Sequence, residues 1–475
     1  MVSRLSLSDV IAGLGGAGLE GDHPISEVVI DSRHAKPDSL FIALPGEKAD
    51  GHEFVGEAFA HGAILALIDR SVGIDRPVID LPQSGSPVAV SELDLPVCLK
   101  VEDTLKGLQQ IASYWRRKLD ITVVGITGSV GKSTSKELIA DVLSQRYRTI
   151  RSPGNLNNEI GLPLSLLRAT GAHSHAVLEM GFYVPGEIRF LCQIARPAIG
   201  VVTNVSQVHL ERAGTLEAIV AGKTELVESL PAAPEGTAIL NYDEYQVRAM
   251  ATKTAAQVFY YGLSPAADLR ASEIEGLGLE GIRFVLHYEG ETVSVRVPLL
   301  GRHSVHTALR AAAVGLVEDL SWQEIVSGLQ GTQSQLRLVA VPGPRGSMIL
   351  DDTYNAAPPS VIAALNLLED LDGRKVAVLG DMLELGSYEE EGHRLVGARA
   401  AEVADLLIAV GERARWIAEE AVLAGMDPSH VERVDDAQAA LELLRKRIRP
   451  EDVVLIKASR GIQLDLIVDE LEEKA

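Results

Sequence analysis

Residues Ile121–Leu143 read ITVVGITGSVGKSTSKELIADVL, and the fold is decided here. The opening apolar run has the length and β-branched content of a buried strand, and the closing run has the spacing of an amphipathic helix. Between them Gly128, Gly131, Lys132 and Ser133 form a glycine-rich turn. That order suits a nucleotide triphosphate. Glycines let the backbone approach the phosphates, and successive N–H groups and the helix N-terminus face the anion. Lys132 reaches the terminal phosphates, and the Ser133 hydroxyl can hold Mg²⁺. The common P-loop has a glycine where this chain has Ile126, so the loop is the shorter form TGSVGKST, Thr127–Thr134, with Ser129 and Val130 inside it.

Outward from this unit the chain alternates strands and helices. HAVLEMG, AIGVVTNV and TAILNYD read as strands, with a helix around 216–230. Such alternation implies a mostly parallel sheet covered on both faces. GIRFVLHYEGETVSVRVPLL, 281–300, alternates apolar and polar residues around EGE and predicts an antiparallel hairpin. An alanine-rich helix is predicted from His303 to about Val317. The first hundred residues carry shorter strands, VVIDSR, SLFIAL and AILALID, and the helical VGEAFAHG. SMILDD, KVAVLGD, DLLIAVG and DVVLIKAS repeat the strand–helix theme near the C-terminus. The expected fold is α/β in three domains: a small α/β N-terminal domain (1–103), a central P-loop ATPase domain with a mostly parallel sheet (104–331) and a C-terminal Rossmann-like domain (332–475).

The 475 residues suffice for about three domains of ordinary size. With 66 acidic against 44 basic residues, the formal charge of −22 argues against nucleic acid or an anionic membrane as the main partner. Two cysteines are too few for a disulfide framework or a cysteine-rich metal site, which suggests a reducing, cytoplasmic setting. No 18-residue apolar run is present, and the N-terminal segment lacks the apolar core of a signal peptide.

Several other residues are candidates for chemistry. A phosphate loop that holds Mg²⁺ needs a carboxylate at the end of a neighbouring strand, where Glu179 of AVLEMG stands. TNVSQVHLERAG places Asn204 and His209 just past the next strand, and Lys223 lies in the helical LEAIVAGKTELVESL. Taken singly, each has a plain structural reading: a strand-end charge, a structural loop histidine, a lysine on a solvated face. DDTYNAAPPS, Asp351–Ser360, and LGDMLELG, Leu379–Gly386, are strand-to-loop junctions suited to a cleft. Arg337 could add a cation to a transferring phosphoryl group.

Together these stretches resemble the Mur ligases, ATP-dependent amide ligases of peptidoglycan assembly, over nearly the whole chain and in the family's order. IDSRHAKPDSLFIALPGEKADGHEF resembles the uridine-nucleotide-binding N-terminal domain, and TGSVGKST the family's short phosphate loop. GNLNNEIGLPLSLL, DDTYNAAP and LGDMLELG resemble the branch that adds a D-alanyl-D-alanine dipeptide, and LIKASRG resembles the family's C-terminal KGSR stretch. The resemblance implies that Glu179 and His209 are magnesium ligands and that Lys223 is carbamylated by CO₂ and helps to hold a second Mg²⁺. It implies that Asp352 and His303 contact ATP, and Arg337 the γ-phosphate region. Asp31, Ser32 and Arg33 would lie near UDP, with Asn155, Asn157 and Asn355 on the substrate side.

The implied reaction is amide formation through an acyl phosphate, joining D-alanyl-D-alanine to UDP-N-acetylmuramoyl-tripeptide, by a monomer. Rival readings are a sister ligase adding a diamino acid, a folylpolyglutamate-type ligase, and a non-catalytic nucleotide-binding assembly protein. The DNPR motif of the diaminopimelate-adding enzyme is absent, and a folylpolyglutamate-type ligase leaves the DSR-containing N-terminal region unexplained. The chain also departs from the family pattern. Ser304 and Thr307 stand in GRHSVHTALRAAA where asparagines associated with the nucleotide are expected, Leu336 replaces the glycine before Arg337, and Ala458 the glycine after Lys457.

Overall fold

The computed structural model describes residues 4–16, 22–46, 49–80, 94–207, 210–331 and 338–472. Three sheets succeed one another along the chain. In the first, Val28–Val29, Leu40–Ile42, Leu65–Ile68, Val97–Lys100 and Val78–Asp80 lie side by side in that order, all parallel. VVIDSR yields only a two-residue strand, because the Asp31 carboxylate accepts the Arg33 N–H and turns the chain into a 3₁₀ helix, Ser32–His34.

Among the described residues the central sheet has nine strands. Thr122–Thr127, which leads into the phosphate loop, pairs in parallel with His175–Glu179 on one side and Ile199–Val202 on the other. Thr149–Arg151 closes one edge. On the other side Thr237–Asn241, Gln257–Gly262 and Leu269–Gly276 continue in parallel. The predicted hairpin, Ile282–Tyr288 with Glu291–Val297, then adds two antiparallel strands. Its turn is Glu289-Gly290, both at positive φ (48° and 85°), the geometry that matches strand twist in a two-residue loop. Helix Val305–Val317 packs along the phosphate-loop helix Lys132–Leu143. Gly315 permits the approach: a Cβ there would lie 3.0 Å from Val142 Cγ1.

The third sheet runs Val339–Pro342, Met348–Asp352, Val453–Lys457, Lys375–Gly380, Leu406–Val410, Val431–Val434 and is parallel except for its first strand. Alternate residues serve opposite faces. Ala377 and Leu379 join one apolar layer, and Val376 and Val378 join the other. This is the doubly wound arrangement. Ala458, the departure next to Lys457, is fully buried against Gly380, where a Cβ would come within 2.6 Å of its own.

Helix Thr104–Lys118, capped by the Asp103 carboxylate, bridges the first two sheets. Its Leu108, Ile111 and Trp115 share one continuous core with Leu40, Leu65 and Leu99 of the first sheet and with Val123, Ala176 and Leu178 of the second. Among the described residues no helix is long and apolar enough to cross a membrane. Cys98 and Cys192 are both buried thiols.

Candidate active site

The phosphate loop takes its shape from two glycines and from the strand beside it. Gly128 (φ 146°) lies so close to Thr203 that a Cβ would sit 1.8 Å from its Oγ1, and Gly131 (φ 82°) caps the helix in the left-handed region. The segment after Ile199–Val202 then braces the loop. The Val130 N–H donates to Asn204 Oδ1 (2.8 Å), the Ser129 N–H to the Asn204 carbonyl (2.9 Å), and the Thr203 hydroxyl to the Val130 carbonyl (2.7 Å). The Thr127 hydroxyl donates to the Met180 carbonyl at 3.1 Å. Lys132 lies across the turn, its ammonium donating to the carbonyls of Gly128 (2.7 Å) and Ser129 (3.2 Å).

Two residues singled out in the sequence, Ser133 and Asn157, meet at a third, Glu179, which ends the neighbouring strand and is 2% exposed. The Ser133 hydroxyl donates to one carboxylate oxygen at 2.7 Å, and the Asn157 amide to the other at 2.8 Å. The donor set at the loop is therefore oxygen, the kind Mg²⁺ takes while keeping waters and phosphate oxygens around it. Among the described residues no three His, Cys, Asp or Glu side chains gather into a metal-binding group. His209 and Arg337 lie outside the described residues.

Lys223 is not on a solvated face. It is 1% exposed in helix Leu216–Glu228, with its ammonium 5.0 Å from the centre of the Phe182 ring. Gly222 makes that packing possible, since a Cβ would fall 1.8 Å from the ring. Burial pulls the amine well below the ordinary lysine range, and the Lys132 charge adds to the effect. A neutral amine is the form that adds CO₂.

The loop opens into a cleft of about 650 Å³ between the central and third sheets. Ser129, Val130, Gly131, Thr134 and Asn155 line it from the central side. His303 does so from the turn before helix Val305–Val317, and Asp352 and Asn355 from the opposite wall. There Lys457, 2% exposed, donates to Asp352 at 2.6 Å and to the Asn355 carbonyl at 2.9 Å. Ser304 and Thr307, the two departures, also line the cleft, as do His306, Arg310 and Glu244, which the sequence reading did not single out. Burial pushes the Glu244 carboxyl up and, with the Arg310 charge, holds the His306 imidazole down to about 4.

Asp31, Ser32 and Arg33 do not line that cleft. They sit in the first sheet's loop, where Arg33 holds Asp31 at 2.6 Å and Ser32 donates to Glu57 at 2.8 Å. The guanidinium lowers the Asp31 carboxyl to about 2.

Residues 24–116 match the Mur ligase family catalytic domain, residues 126–315 the Mur ligase middle domain, and residues 336–460 the Mur ligase glutamate ligase domain. The chain is 36% identical to the UDP-N-acetylmuramoyl-tripeptide–D-alanyl-D-alanine ligase of Synechocystis, over 99% of this chain and 98% of that one. Its structure superposes on MurF from Acinetobacter baumannii with a TM-score of 0.84 and 29% identity, covering 100% of both chains. With the MurF ligase of Thermotoga maritima in complex with ADP, the TM-score is 0.77 and the identity 26%, over 93% of this chain and 96% of that one.

Proposed function

The chain belongs to the Mur ligase family, and from that premise we propose that it spends ATP to join D-alanyl-D-alanine to UDP-N-acetylmuramoyl-tripeptide, a step of peptidoglycan precursor synthesis. The observation that carries the reading is the Glu179 carboxylate, bonded on one side to the phosphate loop through Ser133 and on the other to the GNLNNEIG loop through Asn157. One buried acid thus links a nucleotide-binding loop to the segment that resembles the dipeptide-adding branch.

The tripeptide carboxylate attacks the γ-phosphorus of ATP, and the bond from that phosphorus to the ADP oxygen breaks. The dipeptide amine attacks the acyl carbon of the resulting acyl phosphate and loses a proton, and inorganic phosphate leaves. Lys132 and the loop N–H groups draw charge from the transferring phosphoryl group, so most of the rate comes from positioning and electrostatics. Ser133 and Glu179 would hold one Mg²⁺, and Glu179, His209 and the carbamylated Lys223 would hold a second. When bound, these ions neutralise phosphate charge. The Lys223 amine forms an N–C bond with CO₂ and loses a proton, which converts a buried neutral amine into an anionic ligand. Arg337 faces the γ-phosphate, and Asp352, Thr134 and His303 the rest of the nucleotide. Asn155 and Asn355 contact the peptide substrates.

Residues 1–103 hold the uridine nucleotide through Asp31, Ser32 and Arg33. Residues 104–331 hold ATP, and 332–475 close over the dipeptide and exclude water from the acyl phosphate. The enzyme works as a monomer in the cytoplasm. ADP release that requires both UDP-N-acetylmuramoyl-tripeptide and D-alanyl-D-alanine is the expected result. Release driven by a diamino acid or by a folate would assign the chain to a different ligase, and nucleotide uptake without release would make it an assembly protein. Lys132→Ala is expected to lower release by about 100-fold or more.

A further inference from the structure

The helix that packs along the phosphate-loop helix is built for close approach, with Ala308, Ala311, Ala312 and Ala313 fully buried. Arg310 stands in the middle of this run and is 4% exposed. Its Nε donates to the His306 carbonyl at 2.8 Å and its Nη2 to the Thr307 hydroxyl at 3.3 Å. Its Nη1 is buried and has no hydrogen-bond partner among the described residues. The guanidinium lines the cleft, with Nη1 3.5 Å from where a Cβ on Gly131 would lie. A buried cation with an unmade donor bond is costly, and such a group calls for a partner that completes it.

We propose that Arg310 is a nucleotide-binding residue that donates Nη1–H to the phosphate nearest the ribose. The inference rests on the reading of the cleft as an ATP site. Ser133 and Glu179 mark the end of the loop where the terminal phosphates and metal belong, and neither lines the cleft. Gly131, Thr134 and Arg310 line it together, on the side of the helix N-terminus that faces helix Val305–Val317. A phosphate bound at that first turn lies within reach of the free N–H, and the pairing is charge-assisted. Thr307 then has a defined role: its hydroxyl anchors Nη2 and leaves Nη1 to the ligand.

The phosphate nearest the ribose stays on ADP, so the contact is made equally with substrate, transition state and product. Arg310 therefore acts on nucleotide affinity and leaves the chemical step almost untouched. Calorimetry with ADP and with GDP on the wild-type chain and on Arg310→Met, alongside turnover at saturating ATP, tests this. The expected result is an affinity loss of about 10- to 100-fold for both nucleotides, a matching rise in KM for ATP, and kcat within about twofold. Arg310→Lys, which keeps the charge, should fall between the two, and carries the same test if the methionine variant does not fold. Unchanged ADP affinity overturns the inference. A loss seen with ADP and not with GDP also overturns it, because the guanidinium would then be reading the base. Absence of ADP uptake by the wild-type chain would remove the ATP-site reading itself, and this inference with it.

Discussion

The Ser133 hydroxyl and one Glu179 carboxylate oxygen lie 2.7 Å apart, which ties the first turn of the phosphate-loop helix to the end of the neighbouring strand. With Asn157 on the other oxygen, the carboxylate's direction is set by the protein before any ligand enters. Glu179→Gln keeps the shape and removes the charge. Phosphate release should fall by about 100-fold, and the Mg²⁺ concentration giving half-maximal rate should rise. A titration that gives the wild-type Mg²⁺ dependence would remove Glu179 from the metal site.

Lys223→Ala should be inactive and should recover part of its turnover when acetate or formate is supplied to fill the space beside Phe182. In the wild-type chain, ¹³C-bicarbonate should give a carbamate resonance that the variant lacks. Failure of both would leave Lys223 as a buried neutral amine and nothing more.

Asp352 and Lys457 form a nearly enclosed ion pair on the third sheet's side of the cleft. Removing one partner leaves the other's buried charge without its counter-ion, so Lys457→Met or Asp352→Asn alone should lower stability by about 3–5 kcal/mol. The double variant should recover most of that loss. Denaturant unfolding monitored for the C-terminal region would show the difference, and equal losses in single and double variants would argue against coupling.

His306 is held down to about 4, against an ordinary value of 6.5. As pH falls, the unfolded chain takes up this proton first, so stability is full above about 6.5 and is lost as pH drops towards 4. His306→Gln should flatten the melting temperature in that window and leave it unchanged at pH 8. Parallel curves for the two proteins across the window would contradict the assignment.

The parts of this molecule that were legible in sequence are those where backbone geometry forces a residue type. Gly128 has no room for a Cβ, Gly131 takes a left-handed backbone that side chains rarely adopt, and Gly290 marks its hairpin turn by the same positive φ. Glu179 followed from the geometry of a parallel sheet, which delivers a strand end beside the loop. Strands such as Val78–Asp80, Val339–Pro342 and Val431–Val434 escaped because they lie at sheet edges, are short and are incompletely buried, so no apolar run marks them. Taken singly, Lys223 reads as a solvated residue, because helical spacing does not reveal how closely Phe182 packs against Gly222, and only the family resemblance marks it as a metal ligand. Arg310 escaped for a related reason: periodicity places it on the face of a helix but says nothing of the loop across from it. In the sequence Asn204 stands just past a strand end, yet its work is to brace Ser129 and Val130, which only the fold reveals.

Helix Thr104–Lys118 buries one side against the first sheet and another against the second, in a single continuous apolar core. Separating those two parts would expose that core to water, whereas the third sheet keeps apolar layers of its own. The span from the Asp31 loop to the phosphate loop is therefore set by packing, a fixed gauge between the first two sheets.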